Sequence, residues 1–146
     1  MTLAQVITRM KEIAGKQPAV SLIIDNDIFR LNATPDARYG VFAYTQQTHS
    51  GTVDGNFHRF AFTLFYVDRL NEDRSNEIEV QSVGVQVLES IIRTLAEEGI
   101  YAGDYTIQTF TQRFLDECAG AFANATFEVL QDTLCVEDYE KVIGND

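Results

Sequence analysis

The chain has few cysteines, prolines and glycines and no long apolar run. Of its 146 residues, two are cysteine, two are proline and nine are glycine, while 45% are hydrophobic. This composition is typical of a globular chain that is large enough for a core without metal or disulfide crosslinks. No apolar stretch reaches the roughly 18 residues of a membrane span, and the amphipathic N-terminus is not a signal peptide. We therefore expect a soluble domain without membrane contact, and reduced thiols at Cys118 and Cys135.

Basic residues are half as frequent as acidic ones. The sequence contains 11 lysines and arginines against 22 aspartates and glutamates, which gives a formal net charge of -11 at pH 7. A surface of this charge repels phosphate, so direct binding of nucleic acid is not expected.

Catalytic and metal-binding motifs are missing as well. The sequence has no P-loop, no G-x-S-x-G and no G-x-G-x-x-G. Residues 25–27 begin like a calcium loop, but that register places Arg30 and Asp36 where a glycine and a glutamate are needed, so a turn is predicted. His49 and His58 lack a metal-ligand spacing, and both are expected to be exposed to solvent. We expect no catalytic residue, no cofactor and no metal ion.

Residues 57–99 form the clearest pattern in the chain. Residues 57–67 alternate so that one strand face carries only large apolar side chains, namely Phe60, Phe62, Leu64 and Tyr66. A charged turn at 68–74 leads into a predicted helix at 77–98. Asn76 and Glu79 have the spacing of a capping box at its start, and Gly99 is typical of the position just after a helix end.

The predicted helix is apolar over an unusually wide part of its surface. On a helical wheel the apolar residues cover roughly 200°, about twice the stripe of an ordinary surface helix. Either the N-terminal helix and loops of the same chain cover this arc, or a neighbouring subunit does. Gly84, in the middle of the helix, indicates close approach by another segment.

The remaining elements complete an α+β pattern. A first helix begins at a Thr2–Gln5 capping box and ends at Gly15. Strands are predicted at 20–24 and 28–31 as a hairpin, at 39–46, at 104–112 and at 121–130, and residues 47–56 are predicted to be a polar loop. We predict an α+β domain over residues 1–131, a mostly antiparallel sheet of about six strands and two main helices, in the order α-β-β-β-β-α-β-β. Residues 132–146 are predicted to be an acidic tail or a short helix.

Two polar segments are candidates for contact with a partner. The charged turn supplies Asp68, Arg69, Glu72, Asp73 and Arg74, and the polar loop supplies His49, Gly51 and Asp54. Each segment also has an ordinary interpretation, local ion pairing at a helix start for the turn and a mobile hairpin tip for the loop.

Two stretches of the sequence resemble small structural proteins of phages and prophages. They are YVDRLNEDRSNE at residues 66–77 and TFTQRFLDECAGA at residues 109–121. Together with the element order over residues 2–130, they resemble the tail-terminator, or tail-completion, family of tailed phages.

The resemblance implies a ring subunit of six or twelve copies. Such a ring lies at the tail end or in the neck, in contact with tail tube or head-tail connector proteins, and DNA passes through it without specific binding. It implies a location in the virion, after assembly in the host cytoplasm, and no enzyme activity. It does not distinguish a terminator of long tails from a neck or short-tail adaptor.

A small ligand-binding domain is the alternative interpretation. Its pocket would be lined by the aromatic side chains of the predicted strands, namely Phe42, Tyr44, Phe60, Phe62, Phe65 and Tyr66. Aromatic residues at alternate strand positions are more often part of an ordinary core.

Overall fold

Two helices and a six-stranded sheet make up the described part of the protein. The computed structural model describes residues 1–33, 39–113 and 117–131. In chain order the elements are α1 (Leu3–Gly15), β1 (Leu22–Ile24), a 3₁₀ helix (Ile28–Ala33), β2 (Val41–Gly51), β3 (Phe57–Arg69), α2 (Glu77–Glu97), β4 (Tyr101–Ala102), β5 (Thr106–Arg113) and β6 (Glu117–Leu130). The predicted α+β class is confirmed. Within the described ranges, neither helix combines the length and the apolarity that crossing a bilayer requires.

The sheet is built around the pairing of β3 with β6. The strand order is β1-β2-β3-β6-β4, and β5 pairs with β6 beside β4. Strands β3 and β6 pair along their whole length, from Phe57 opposite Leu130 to Arg69 opposite Cys118. All pairs are antiparallel except β1 with β2, so the predicted mostly antiparallel sheet is confirmed.

One face of the sheet forms the main core with both helices. The alternation of β3 predicted this face correctly, since Phe60, Phe62, Leu64 and Tyr66 are all buried. On β6 the same face carries small residues in its middle, with Ala121, Ala123 and Ala125 buried beneath α2. Small side chains at this position let the helix lie close to the sheet.

The capping box predicted for α1 is confirmed. The Thr2 hydroxyl accepts a hydrogen bond from the Gln5 amide at 3.2 Å, and the Gln5 side-chain oxygen accepts one from the Thr2 amide at 2.8 Å. The helix then buries a single stripe against the core, formed by Val6, Met10, Ile13 and Ala14.

The prediction for α2 is right at its C-terminus and wrong at its N-terminus. At its C-terminus, Gly99 has a φ of 86°, and the Ile100 amide donates to the Leu95 carbonyl, which is the predicted glycine-terminated end. The capping box predicted at the N-terminus is wrong. The Asn76 side chain accepts from the Asn71 amide and donates to the Arg69 carbonyl, so it fastens the preceding turn instead of capping the helix.

Segments of the same chain cover most of the wide apolar arc of α2. The arc packs on β3, β6 and α1, and only Ile78 at its start is largely exposed. A β-carbon added at Gly84 would lie 3.1 Å from the Ala121 amide nitrogen and 3.1 Å from a ring carbon of Tyr66. The close approach that Gly84 indicated is therefore made by β6 and β3.

The predicted hairpin of residues 20–31 is wrong in its second half. Ile28 and Leu31 lie in the 3₁₀ helix, where side chains three residues apart share one side, and both are buried against the second sheet face. Because residues 25–40 then separate β1 from β2, the connection is long enough for parallel pairing.

Two further strand predictions need correction. The polar loop predicted at 47–56 is shorter than expected, because β2 continues through Gly51 before the chain turns. The short strand β4, next to Glu128 and Phe127 of β6, was not predicted. Its two residues carry no periodicity that a sequence pattern could reveal.

We expect Gly84→Ala to lower the free energy of unfolding by about 1 kcal/mol. Overpacking costs about 1–3 kcal/mol, which exceeds the roughly 1 kcal/mol that alanine adds to helix propensity. Urea denaturation would measure the change. Ser82→Ala, at an exposed position of the same helix, should leave stability equal or slightly higher. A more stable Gly84→Ala variant would contradict the close packing of α2 on β6.

Candidate functional site

The β2–β3 hairpin meets both the N-terminus of α1 and the end of β6. The turn between the strands is closed by a 2.9 Å hydrogen bond from the Gly55 amide to the Thr52 carbonyl. The Met1 amino group donates to the Leu130 carbonyl at 2.9 Å. We call this region, residues 49–58 with Tyr101 and Leu130, the hairpin end.

Exposed apolar side chains gather at the hairpin end. In the described part of the chain, five large hydrophobic residues are exposed, and four of them lie here, namely Val53, Phe57, Tyr101 and Leu130. Phe57 and Leu130 are direct cross-strand partners, and Tyr101 pairs with Glu128 two residues away. None of these four residues was predicted from the sequence to be a contact residue. The sequence contained one signal for them: Phe57 is a large apolar residue on the same strand face as the charged Arg59, where an exposed side chain is expected.

A histidine pair lies on the helix side of the hairpin end. The His49 Nε2 atom lies 3.1 Å from the His58 Nδ1 atom, and the His58 Nε2 atom lies 2.9 Å from the Met1 carbonyl oxygen. His49 is exposed, as predicted, and its ring stacks on Phe60 at 4.8 Å between centroids. The prediction that His58 is exposed is wrong, since only 9% of it is accessible.

Two open clefts flank the hairpin end. One has a volume of about 290 Å³ and is lined by His49, Ser50, Gly51, Thr52, Val53, His58 and Gln131. The other has a volume of about 360 Å³ and is lined by Arg59, Tyr101, Gly103, Asp104, Thr126 and Glu128. Of the predicted contact residues, His49 and Gly51 line the first cleft, and Asp54 lies in the exposed turn beside it.

The turn predicted at 68–74 begins later than expected, because β3 continues through Arg69. Hydrogen bonds within this charged segment and to Gly40 hold its start. Asp68 accepts from the amides of Gly40 and Arg69, at 3.4 and 2.8 Å. The Arg69 guanidinium lies 4.6 Å above the centre of the Tyr39 ring. These contacts make the start of the turn rigid.

The second half of the turn is fixed in the same way. Arg74 pairs with Glu117 at the start of β6 and has a φ of 58°. Asp73 accepts from the Ser75 amide at 3.0 Å, and this backbone hydrogen bond lowers the pKa of the Asp73 carboxyl. Glu72 is exposed at the tip. The charged groups of this segment therefore bond both within it and to Tyr39, Gly40 and Glu117 elsewhere in the chain, while Glu72 is exposed.

The two predicted contact regions lie at opposite ends of the sheet. The hairpin end is at Phe57, where β3 begins, and the charged turn starts with Asp68 and Arg69, the last two residues of β3. At the usual rise of about 3.3 Å per residue this strand is about 40 Å long. The structure thus groups His49, Gly51 and Asp54 together, and separates them from the five residues of the charged turn.

Most aromatic residues of the pocket hypothesis are core residues. Phe42, Tyr44, Phe60, Phe62 and Tyr66 are buried between the sheet and the helices. Phe60 and Phe62 also border an open cleft of about 150 Å³ beside Leu3. Phe65 lies on the opposite face, where its ring is 6.2 Å from that of Phe122.

Side-chain contacts connect the turn at residues 25–27 to both α1 and β2. Asp25 accepts a 2.8 Å hydrogen bond from the Tyr44 hydroxyl and forms a 2.8 Å ion pair with Lys11. The bonds to Lys11 and then to Tyr44 lower the pKa of the Asp25 carboxyl. Burial, with the Asp25 carboxylate as the second cause, raises the pKa of Tyr44 to about 12. Burial likewise raises the pKa of Tyr66 to about 12, with Asp68 as the second cause.

We expect Tyr44→Phe to lower the unfolding free energy by about 1 kcal/mol near neutral pH, because the bond to Asp25 is lost. The raised pKa of folded Tyr44 means that its contribution is complete below about pH 10 and is lost as the pH rises toward about 12. The variant should therefore lose less stability over this interval than the unmodified chain. Urea denaturation at a series of alkaline pH values measures the difference.

The control for this experiment is Tyr101→Phe, which removes an exposed hydroxyl. It should reproduce the pH dependence of the unmodified chain. Equal alkaline losses for the unmodified chain and Tyr44→Phe would show that Tyr44 does not hold its proton more tightly in the folded state.

No protein-family model matches this chain, and no curated protein is similar enough to count as a match. Any functional conclusion therefore rests on the geometry of the chain itself and on the resemblance of its pattern.

Proposed function

We propose that the chain is a structural ring subunit of a phage virion, at the tail end or in the neck, which joins the tail tube to the connector around the DNA channel. The observation that carries this proposal is the separation of two contact regions by the full length of β3. A subunit that joins two different partners along one axis needs a contact surface at each end. In this sheet the hairpin end lies at one end of β3 and the charged turn at the other.

The hairpin end has the chemistry of a protein contact. Three exposed apolar residues there, Phe57, Leu130 and Tyr101, lie on neighbouring strands, and Val53 is exposed in the adjoining turn. Clustered exposed apolar residues mark interaction sites more often than scattered ones do. Polar residues surround them, including Asp54 and the Arg59–Glu128 ion pair at 3.0 Å. An apolar centre within a polar rim is the usual anatomy of an interface.

The charged turn supplies specificity at the other end. Its backbone is held by the Asn71–Asn76 and Asp73–Ser75 hydrogen bonds, so a partner would meet a preformed shape. Glu72 is exposed at its tip, and charges at an interface rim favour the correct partner and orientation more than they add affinity.

The sheet edges support contacts around a ring. In the described part of the chain, β1 covers β2 only from Val41 to Ala43, so the edge of β2 toward the hairpin carries no neighbouring strand on that side. Strand β5 pairs with β6 alone and forms the opposite edge. Two different edges on one subunit allow head-to-tail contacts, which close into a ring when the rotation permits.

The acidic composition agrees with a channel for DNA. With a net charge of -11, the surface repels phosphate and lets DNA pass without adhering to the wall. The proposed role requires no catalytic residue and no cofactor. The ligand-binding alternative has less support, because its aromatic residues fill the core and the cleft beside Phe60 and Phe62 is open.

Light scattering over a wide concentration range tests this proposal. We expect the chain of 16.4 kDa to form a species of six or twelve subunits. Leu130→Asp should raise the concentration for half-assembly at least about tenfold, because a charge is introduced into the apolar centre of the hairpin end. Glu72→Lys reverses the charge at the tip of the charged turn. It should weaken either the binding of a connector or tail-tube protein or the assembly of the ring itself.

Each variant has a control with the same charge change on the exposed face of α2. Gln86→Asp matches Leu130→Asp, and Glu79→Lys matches Glu72→Lys. Both controls should assemble like the unmodified chain. A chain that stays monomeric at every concentration would refute self-driven ring formation, and a Leu130→Asp variant that assembles normally would refute the role of the hairpin end.

A further inference from the structure

We propose that His49 and His58 form a two-imidazole binding site for a divalent transition-metal ion such as Zn²⁺, Ni²⁺ or Cu²⁺. The two residues are nine positions apart without a metal-binding motif, so their proximity arises from the hairpin. The proposal is independent of the ring function, since it concerns one subunit and its own side chains.

A β-bulge brings the two imidazoles to the same face. Gln46 lies opposite Phe62, but His49, three residues further along β2, lies opposite Phe60, only two residues back along β3. Regular alternation would place Thr48 opposite Phe60. The extra residue therefore turns His49 toward the side of the sheet that carries His58, and bulges next to functional sites often redirect a side chain in this way.

The environment of His58 assigns its ring nitrogens. A carbonyl oxygen can only accept, so the His58 Nε2 atom, 2.9 Å from the Met1 carbonyl, carries the hydrogen in the neutral ring. Its Nδ1 atom then presents a lone pair toward His49. Histidines that bind metals usually donate their other ring N–H to a carbonyl or carboxylate, which fixes the ring and increases the basicity of the ligating nitrogen.

The spacing of the two nitrogens is that of a hydrogen bond, and it is also close to the spacing of two nitrogen ligands on one ion. His49 Nε2 and His58 Nδ1 are 3.1 Å apart. Zinc–imidazole bonds of about 2.0–2.1 Å at a tetrahedral angle separate two ligand atoms by about 3.3 Å. Without metal, the hydrogen on the His49 Nε2 atom bridges the pair. If a metal ion bound, this hydrogen would move to the His49 Nδ1 atom, and the two neutral rings would each offer one nitrogen lone pair to the ion without a net release of protons.

The surroundings leave room to complete the coordination. The histidines line the open cleft of about 290 Å³ with Ser50, Gly51 and Thr52, so water or a donor from a bound molecule can occupy the remaining positions. Among the described residues, no cluster of three or more potential side-chain ligands exists, so the described part of the chain provides two. Imidazole favours zinc, nickel and copper over the oxygen-seeking Mg²⁺ and Ca²⁺.

Calorimetric titration of the full chain with Cu²⁺ tests the proposal. The chain carries no affinity tag, and the buffer contains excess Mg²⁺. The Mg²⁺ occupies surface carboxylates, which in a protein of this charge also attract cations. We expect one Cu²⁺ per chain, and an electron paramagnetic resonance spectrum with coupling to two nitrogen nuclei.

Two variants and a control identify the ligands. His49→Phe keeps a ring stacked on Phe60 but lacks the nitrogen, and should weaken binding at least about tenfold. His58→Gln should do the same. Ser50→Ala, which changes the same cleft without removing a proposed ligand, should bind like the unmodified chain.

Three results would overturn the proposal. They are no Cu²⁺ uptake in excess Mg²⁺, equal affinity of His49→Phe and the unmodified chain, or a spectrum without nitrogen coupling. If the buried His58→Gln variant fails to fold, the exposed His49→Phe variant and the nitrogen coupling still decide.

Discussion

The close packing of α2 on the paired strands β3 and β6 is the constraint on which the rest of the structure depends. The two strands pair along their full length, and β6 presents alanines to the helix at the point where Gly84 passes over it. Gly84 of the helix and the alanines of β6 let α2 lie close to the sheet. Large side chains of β3, such as Phe62 and Tyr66, fill the rest of this core. This core fixes the direction of β3, and the direction of β3 determines where the hairpin end and the charged turn lie.

The two ends of β3 differ in chemistry because different constraints act on them. At the end near Arg69, the chain must turn from strand to helix, and local hydrogen bonds of Asp68, Asn71 and Asp73 hold that turn. At the other end, β2 and β3 continue as a hairpin where most side chains remain in solvent and apolar groups are left exposed. A protein that connects two partners along an axis can use such unlike ends for unlike contacts.

The hairpin end also shows how a local irregularity can create chemistry. A regular ladder would direct Thr48 toward the helix side, whereas the bulge places His49 there, next to His58 and the Met1 carbonyl. His58 is buried where Met1, just before α1, lies against the hairpin and contacts the His58 ring through its carbonyl oxygen. The surroundings of His49 are therefore set by the hairpin, and those of His58 also by the N-terminal residue Met1.

Local periodicity and composition by themselves determined the α+β class, the core face of β3, the capping box of α1 and the glycine that ends α2. These features depend on neighbours within a few residues or on a period of burial, so a sequence pattern contains them. Only the tertiary structure decided that Ile28 and Leu31 lie in a 3₁₀ helix, that Asn76 fastens a turn, and that two histidines meet. Asn76 bonds to the preceding turn, the histidines meet because of a bulge in the hairpin, and Ile28 and Leu31 pack against the sheet. Each outcome depends on which partner competes successfully for a side chain or backbone group, and packing and strand register settle that competition, which periodicity and capping patterns do not contain.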